Sequence, residues 1–352
     1  MSELLLLTTL FFAAEDATSA DTFDVSVDAV YASAYKGIDY LKIESKSWVE
    51  KRKCASCHHV PFMIWTMKEA QTRGHTIDES ALAEMVDYSL AADDRARLTQ
   101  KPPPPKDGDT SRNDVRYYTS VSAVLTLLAL ADTNDLRDSQ ENRRKEIFTH
   151  LIEKQNETGK WEFFKNRPPL AGITTDLTLF TTLTLGRSAA SKSDPLVAEM
   201  LQKALTQIGD LVPDDSSQQY HNFSLLLDIQ LGNKQQDVSK RVDLILSRQR
   251  EDGGWTQIPE MESDAYATGQ TLYSLALAGI PSDHEAVRKA WPFLVKTQNA
   301  DGSWPMISRP HEPNGVRANN LDPITAAGTG WGVLGLLRSS PPVVATTGEN
   351  VE

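Results

Sequence analysis

The stretch "KCASCHH", Lys53 to His59, holds both cysteines of the 352-residue chain and two of its seven histidines. C-x-x-C-H is the spacing at which two thiols add to haem vinyl groups while the adjacent imidazole ligates iron. Cys54, Cys57 and His58 would then hold a c-type haem. Candidate sixth ligands are His59, Met63, Met67, His75 and Met85. His59, Met63 and Met67 lie too close to His58 in sequence to reach the opposite face easily, whereas His75 or Met85 would need a returning chain. The same residues admit other chemistry. Two thiolates with His58 or His59, completed by His75 or a carboxylate, would suit Zn²⁺. A dithiol at a helix start could be redox-active, and an exported protein could close it as a disulfide.

Further candidates are the acids at predicted helix starts, Asp176, Asp264 and Asp322. Helix N-capping is the plainest role for each. Asp264 stands out because "ESDAYATGQ" brings Glu262, Tyr266 and Gln270 towards the same helix mouth. Aromatics on apolar segments, namely Trp65, Tyr117, Tyr118, Phe180, Phe223, Tyr273 and Trp331, could line an apolar cavity together with Tyr266. Core packing is their commoner use. The Gly-rich "AAGTGWGVLG" around Trp331 implies close helix contact or space for a ligand.

An internal repeat supplies the elements that must position these residues. "LIEKQNETGKW", "ILSRQREDGGW" and "LVKTQNADGSW" align without gaps as apolar-x-x-x-Gln-x-x-x-Gly-x-Trp. The copies carry Gln155, Gly159 and Trp161, then Gln249, Gly253 and Trp255, then Gln298, Gly302 and Trp304. A degenerate copy, "KALTQIGDLV" (Lys203 to Val212), keeps the Lys-Ala head seen at Lys289 and has lost Gln and Trp. "KGIDYLKIES" (Lys36 to Ser45) has the same head, with Ser45 in the Gln position. An amphipathic helix precedes each Gln, Gly ends it in a left-handed turn, and Trp covers the corner. A helix apolar nearly all round follows, so it is buried on both sides. These inner helices are expected at about 62–73, 115–131, 174–185, 219–231, 264–278 and 323–337. Six outer-plus-inner pairs can close on themselves, which leaves no unpaired apolar face. The expectation is one all-α domain, an α/α toroid over 26–340, with the C-x-x-C-H motif in its first repeat and 341–352 as a mobile tail.

The Gln-x-x-x-Gly-x-Trp copies resemble the QW repeats of squalene and oxidosqualene cyclases, within the α/α-toroid superfamily that includes protein prenyltransferase β subunits. The resemblance spans roughly Lys36 to Leu337 and implies the toroid fold. It implies terpenoid cyclase or transferase chemistry only in part. The chain has no D-x-D-D acid motif, no D-D-x-x-D diphosphate motif, no C-G-E-Q thioester motif, and no Asp, Cys and His drawn from separate repeats to hold Zn²⁺. Squalene-type cyclisation is therefore not expected. The "C-A-S-C-H-H" form before a toroid helix also resembles exported bacterial proteins in which squalene-cyclase-like repeats follow such a motif.

The net charge of −12 and the absence of basic runs exclude nucleic acid as a natural partner. The apolar run Leu4 to Ala14, with a possible cleavage point after Ala20, reads as a signal peptide over 1–20. It lacks the basic flank of one, since no Lys or Arg precedes Lys36. A periplasmic or extracellular protein is expected, a cytoplasmic one being the alternative, and no stretch is long and apolar enough to span a membrane. Three functions stay open: a haem-bearing ligand-binding or electron-transfer module with a redox partner, an enzyme of isoprenoid or other apolar substrates, and a Zn-binding or purely structural repeat scaffold.

Overall fold

The computed structural model describes residues 25–52, 58–90, 117–133, 135–161, 174–188, 190–209, 215–310, 317 and 321–343. Among them are thirteen helices: α1 (Val27–Arg52), α2 (His59–Thr72), α3 (Glu79–Ser89), α4 (Tyr117–Ala129), α5 (Asp138–Lys154), α6 (Thr174–Arg187), α7 (Ala190–Ser193), α8 (Pro195–Ile208), α9 (Gln218–Gln230), α10 (Gln235–Ser247), α11 (Ala265–Leu277), α12 (Glu285–Thr297) and α13 (Asp322–Ser339). The signal peptide expected over 1–20, Cys54, Cys57 and the tail after Val343 lie outside the described residues.

Six helices form an inner ring in which each packs on the next: α2, α4, α6, α9, α11, α13 and back to α2. The outer helices α1, α3, α5, α8, α10 and α12 each precede an inner one. The expected toroid is thus present, with inner helices within a few residues of the expected bounds. Inner helices are buried on all sides because they have neighbours on all sides. On α11 every residue from Ala265 to Leu275 is buried. Threonines in such a helix satisfy their hydroxyls on the preceding turn, as Thr182 Oγ1 does by donating to Thr178 O at 2.6 Å. Where α11 meets α13, the backbones touch. A Cβ on Gly269 would lie 2.2 Å from Trp331 O, and one on Gly335 would lie 2.6 Å from Gly269 O. The glycines around Trp331 therefore serve helix contact rather than ligand space.

The repeat corners explain how the ring is held. Gln249 Nε2 donates both to Gly253 O in its own turn and to Ala286 O on the next outer helix, each at 2.8 Å. Gln155 does the same to Gly159 O and Met200 O, and Gln298 to Gly302 O and Ser33 O. Each indole N–H closes the corner by donating to a carbonyl ten residues back: Trp161 to Leu151, Trp255 to Ile245 and Trp304 to Leu294. Each corner Gly, at φ 78°, 86° and 91°, abuts the carbonyl of the next repeat's head lysine: Lys203, Lys289 and Lys36. The head and the corner of one repeat thus belong to two different joints. The lysine of the degenerate copy also serves the preceding corner through its side chain, Lys203 Nζ donating to Asn156 O at 3.0 Å. The last corner docks on α1, and this joint closes the ring between the two ends of the chain.

In the first repeat α1 runs without interruption through Ser45 to Arg52, past the position where Gln ends the other outer helices. Packing of α1 on α2 and α13 places this repeat within the ring.

Candidate functional site

Because outer and inner helices alternate, all inner helices point the same way, and their N-termini meet at one mouth. There α6, α9 and α11 bring polar side chains together below the surface. Asp176, in the first turn of α6 and fully buried, accepts from Gln219 Nε2 at 2.7 Å and Ser217 Oγ at 3.2 Å. Arg309, also buried, sits with Nη1 3.7 Å from the same carboxylate oxygen. Tyr266 OH donates to Gln219 Oε1 at 2.6 Å, which fixes that amide so that its NH₂ faces Asp176. The helix N-termini add positive potential, which with Arg309 opposes the cost of burying a carboxylate at this mouth.

Asp264 closes the other side of this patch. Its Oδ1 caps α11 by accepting from Ala267 N at 2.8 Å, and its Oδ2 accepts from Gln257 Nε2 at 2.7 Å. Burial pushes its carboxyl up to about 6, against the opposing pull of these donors and of Arg309. The patch therefore pairs a carboxylate clamped by Arg309 with a second carboxyl that gains or loses a proton close to neutrality. Burial likewise pushes the Tyr266 phenol up, so it stays a donor. Two buried acceptors here, Gln257 Oε1 and Gln270 Oε1, have no hydrogen-bond partner among the described residues.

Below the polar patch lies an aromatic centre. Trp331 meets Trp65 at 5.0 Å between ring centroids, Phe62 and Tyr273 at 5.9 Å, and Phe223 and Tyr266 at 6.4 Å. Phe180 stacks on Phe223 at 4.7 Å. The expected aromatics do converge, but they touch one another, so the described rings form a packed floor rather than the walls of an open cavity. The side chains of Tyr117 and Tyr118 lie outside the described residues.

The remaining expected residues separate. Glu262 and Asp322 are exposed, so neither joins the buried patch. The Asp322 charge raises the His59 pKa against a larger lowering by burial, to about 4. His58, at the N-cap of α2, is buried and makes no capping bond, and burial holds its imidazole neutral by lowering its pKa to about 3. His59 stacks on Trp48 at 4.4 Å. His75 lies beyond the other end of α2, which has 14 residues and so is roughly 20 Å long. That length overturns the expected sharing of one metal or haem between His58 and His75. No cluster of three or more metal-ligating side chains occurs among the described residues, a set that leaves out both cysteines.

Sequence reasoning missed Arg309, Gln219 and Gln257, and read Asp176 as a cap. Asp176 lies inside the helix and bonds side chains of α9 instead.

Comparison with known proteins agrees with the repeat reading. Residues 214–346 match the family model of the squalene-hopene cyclase C-terminal domain. The squalene–hopene cyclase of Zymomonas mobilis is 26% identical over 234 residues, 64% of this chain and 30% of that enzyme. The chain thus spans less than a third of that relative. Among solved structures, a type II terpene cyclase from Scytonema in complex with merosterolic acid A superposes with a TM-score of 0.51 at 14% identity, covering 90% of this chain and 99% of that one. A glycosyl hydrolase family 88 protein from Bacteroides vulgatus superposes with a TM-score of 0.57 at 12% identity, covering 91% and 100%. At such identities these structures speak for the ring alone. The chain is thus an α/α toroid by fold, and its residues 214–346 resemble the squalene-hopene cyclase C-terminal domain.

Proposed function

We propose that the chain is a ligand-binding toroid for an apolar molecule of isoprenoid class, whose polar end is held at the mouth of the inner ring. One observation carries this reading. The segment 214–346 that matches the cyclase domain supplies Ser217, Gln219, Gln257, Asp264, Tyr266, Gln270 and Arg309, all of the polar patch except Asp176. Gln257 Oε1 and Gln270 Oε1 suit a ligand hydroxyl, Arg309 a developing negative charge, and the aromatic floor an apolar body. Asp264 is the acid of this site. A carboxyl near 6 can give its proton to an oxygen close to neutrality.

Titrating the purified protein with geranylgeraniol while following tryptophan fluorescence tests the reading. Saturable quenching, weakened by Asp264→Asn and Arg309→Gln, is expected; a signal linear in ligand, unaffected by either change, would overturn it.

A second reading concerns the C-x-x-C-H segment, and His58 favours it: the imidazole that should ligate iron is buried, neutral and free of a capping bond. Cys54 and Cys57 would hold the haem through thioethers and His58 would bind its iron. The haem would supply one-electron chemistry to a redox partner. His59, stacked on Trp48, would keep α2 seated while the pair of thiols is modified. This reading goes with export, since haem c is attached outside the cytoplasm. Expression with cytochrome c maturation proteins should give a Soret band and a haem-staining gel band that Cys54→Ala removes. A colourless product that instead binds stoichiometric zinc would favour the Zn²⁺ alternative.

A further inference from the structure

The corners at Trp255 and Trp304 end in the same Gly-x-Trp, yet the chain leaves them differently. After Trp255 its own backbone pins it: Thr256 pairs with Ser263 in an antiparallel bridge, Asp264 N donates to Trp255 O, and Gln218 N donates to Gln257 O. After Trp304 there is neither helix nor strand through Pro310, and among the described residues no backbone–backbone hydrogen bond involves 304–310. The segment is nonetheless buried at Met306, Ser308 and Arg309, while Pro305 and Ile307 are exposed.

Side chains hold it instead. Met306 Cγ and Sδ occupy the space that a Cβ on Gly328 of α13 would take. Gln257 Nε2 donates to Ile307 O at 3.2 Å. Arg309 lies with Nη1 3.7 Å from Asp176 Oδ2 on α6 and 3.5 Å from Ser217 Oγ, which caps α9. In the order of the inner ring α6 stands opposite α13, so this one guanidinium reaches across the mouth to the far wall. A buried segment without backbone pairing opens at a lower cost than the helices around it. The ion pair opposes that step, because lifting the segment separates Arg309 from a carboxylate that is fully buried.

We propose that residues 305–310 form a strap across the mouth of the ring, latched by Arg309 on Asp176, which lifts while the helices beneath it stay folded. Lifting bares Gln219, Gln257 and Asp264. The motion belongs to the chain alone, so it is tested without ligand and does not depend on the function argued above. The test is oxidation by dilute hydrogen peroxide, which turns a methionine it can reach into the sulfoxide with release of water. Met306 is 3% exposed and reports the strap; Met63 on α2 and Met200 on α8, each 2% exposed, report unfolding of the ring. Peptide mass spectrometry of the full chain should show Met306 oxidised about tenfold faster than the other two, or more. Asp176→Asn, which keeps an acceptor for Gln219 but removes the charge, should quicken Met306 a further tenfold or about that, and leave Met63 and Met200 unchanged. Arg309→Lys keeps the cation, loses the planar fork and should quicken Met306 by a smaller factor; it decides the matter if Asp176→Asn does not fold. Met306 oxidising no faster than Met63 and Met200, or at the wild-type rate in the folded variants, overturns the proposal. So does an equal rise of all three methionines in Arg309→Lys.

Discussion

At the scale of single residues, the buried mouth of the ring makes two measurable demands. Asp264 has a folded-state pKa of about 6 against an ordinary 3.8, so the fold favours its protonated form. The stability this gives is complete below pH 4 and is lost as pH rises through 6. Asn keeps the capping acceptor but has no proton to lose. Between pH 4 and 7 the wild type should therefore lose up to about 3 kcal/mol more stability than Asp264→Asn, read from urea midpoints at the two pH values. Arg309 makes the opposite demand. Removing it by Arg309→Met leaves the fully buried Asp176 without its cation, at an expected cost of about 3–5 kcal/mol. Asp176→Asn in the same background should recover part of that loss; a double-mutant cycle with no coupling would refute the pairing.

At the scale of elements, the corners make a sharp claim about glycine. Gly253 has φ 86°, and a Cβ there would lie 2.1 Å from Lys289 O on the next outer helix. Gly279 has nearly the same φ, 88°, but open space around it. Gly279→Ala should cost about 1 kcal/mol from backbone strain alone, whereas Gly253→Ala should cost about 3 kcal/mol or more because it also pushes α10's corner off α12. Equal losses in thermal melts would show that the corner is not a joint. The corners were legible in sequence because side chains carry them: Gln bridges two carbonyls, Trp closes the turn, and Gly fits where a Cβ would meet the facing carbonyl. Their docking points were not, since Met200, Ala286 and Ser33 take part through backbone carbonyls that any residue carries. The site was half legible for a related reason. Asp264 and Tyr266 sit on a strongly patterned helix start, and their common placement followed from the pattern. Arg309 is a lone cation in a loop, and only three-dimensional proximity joins it to Asp176, 133 positions earlier in the chain. The role given to Asp176 failed because a carboxylate at a helix start looks the same whether it caps the backbone or bonds a neighbouring helix.

At the scale of the whole molecule, closure makes the two ends of the chain one structural unit. An open stack of hairpins loosens from its ends, because terminal repeats have one neighbour each. Here the last corner is fastened to the first outer helix: Gln298 Nε2 donates to Ser33 O at 2.9 Å, and Ser33 Oγ donates to Gln298 Oε1 at 2.8 Å. Arg338, at the end of α13, reaches Glu69, near the end of α2, at 3.0 Å, so the seam is bonded at both faces of the ring. Gln298→Ala cuts both bonds to Ser33 and the bond to Gly302 O within the corner, while leaving Gly302 and Trp304 in place. Its global cost should be about 2–4 kcal/mol for three part-buried hydrogen bonds. The distribution of that cost is the informative part. Hydrogen exchange should quicken in α1 and in the corner after α12, on both sides of the seam, while α6 and α9, half a ring away, keep their wild-type protection. Cutting an interior joint with Gln249→Ala should not quicken α1. If the two substitutions gave the same exchange pattern, the ring would be melting as one undivided unit, and the seam would have no stability of its own.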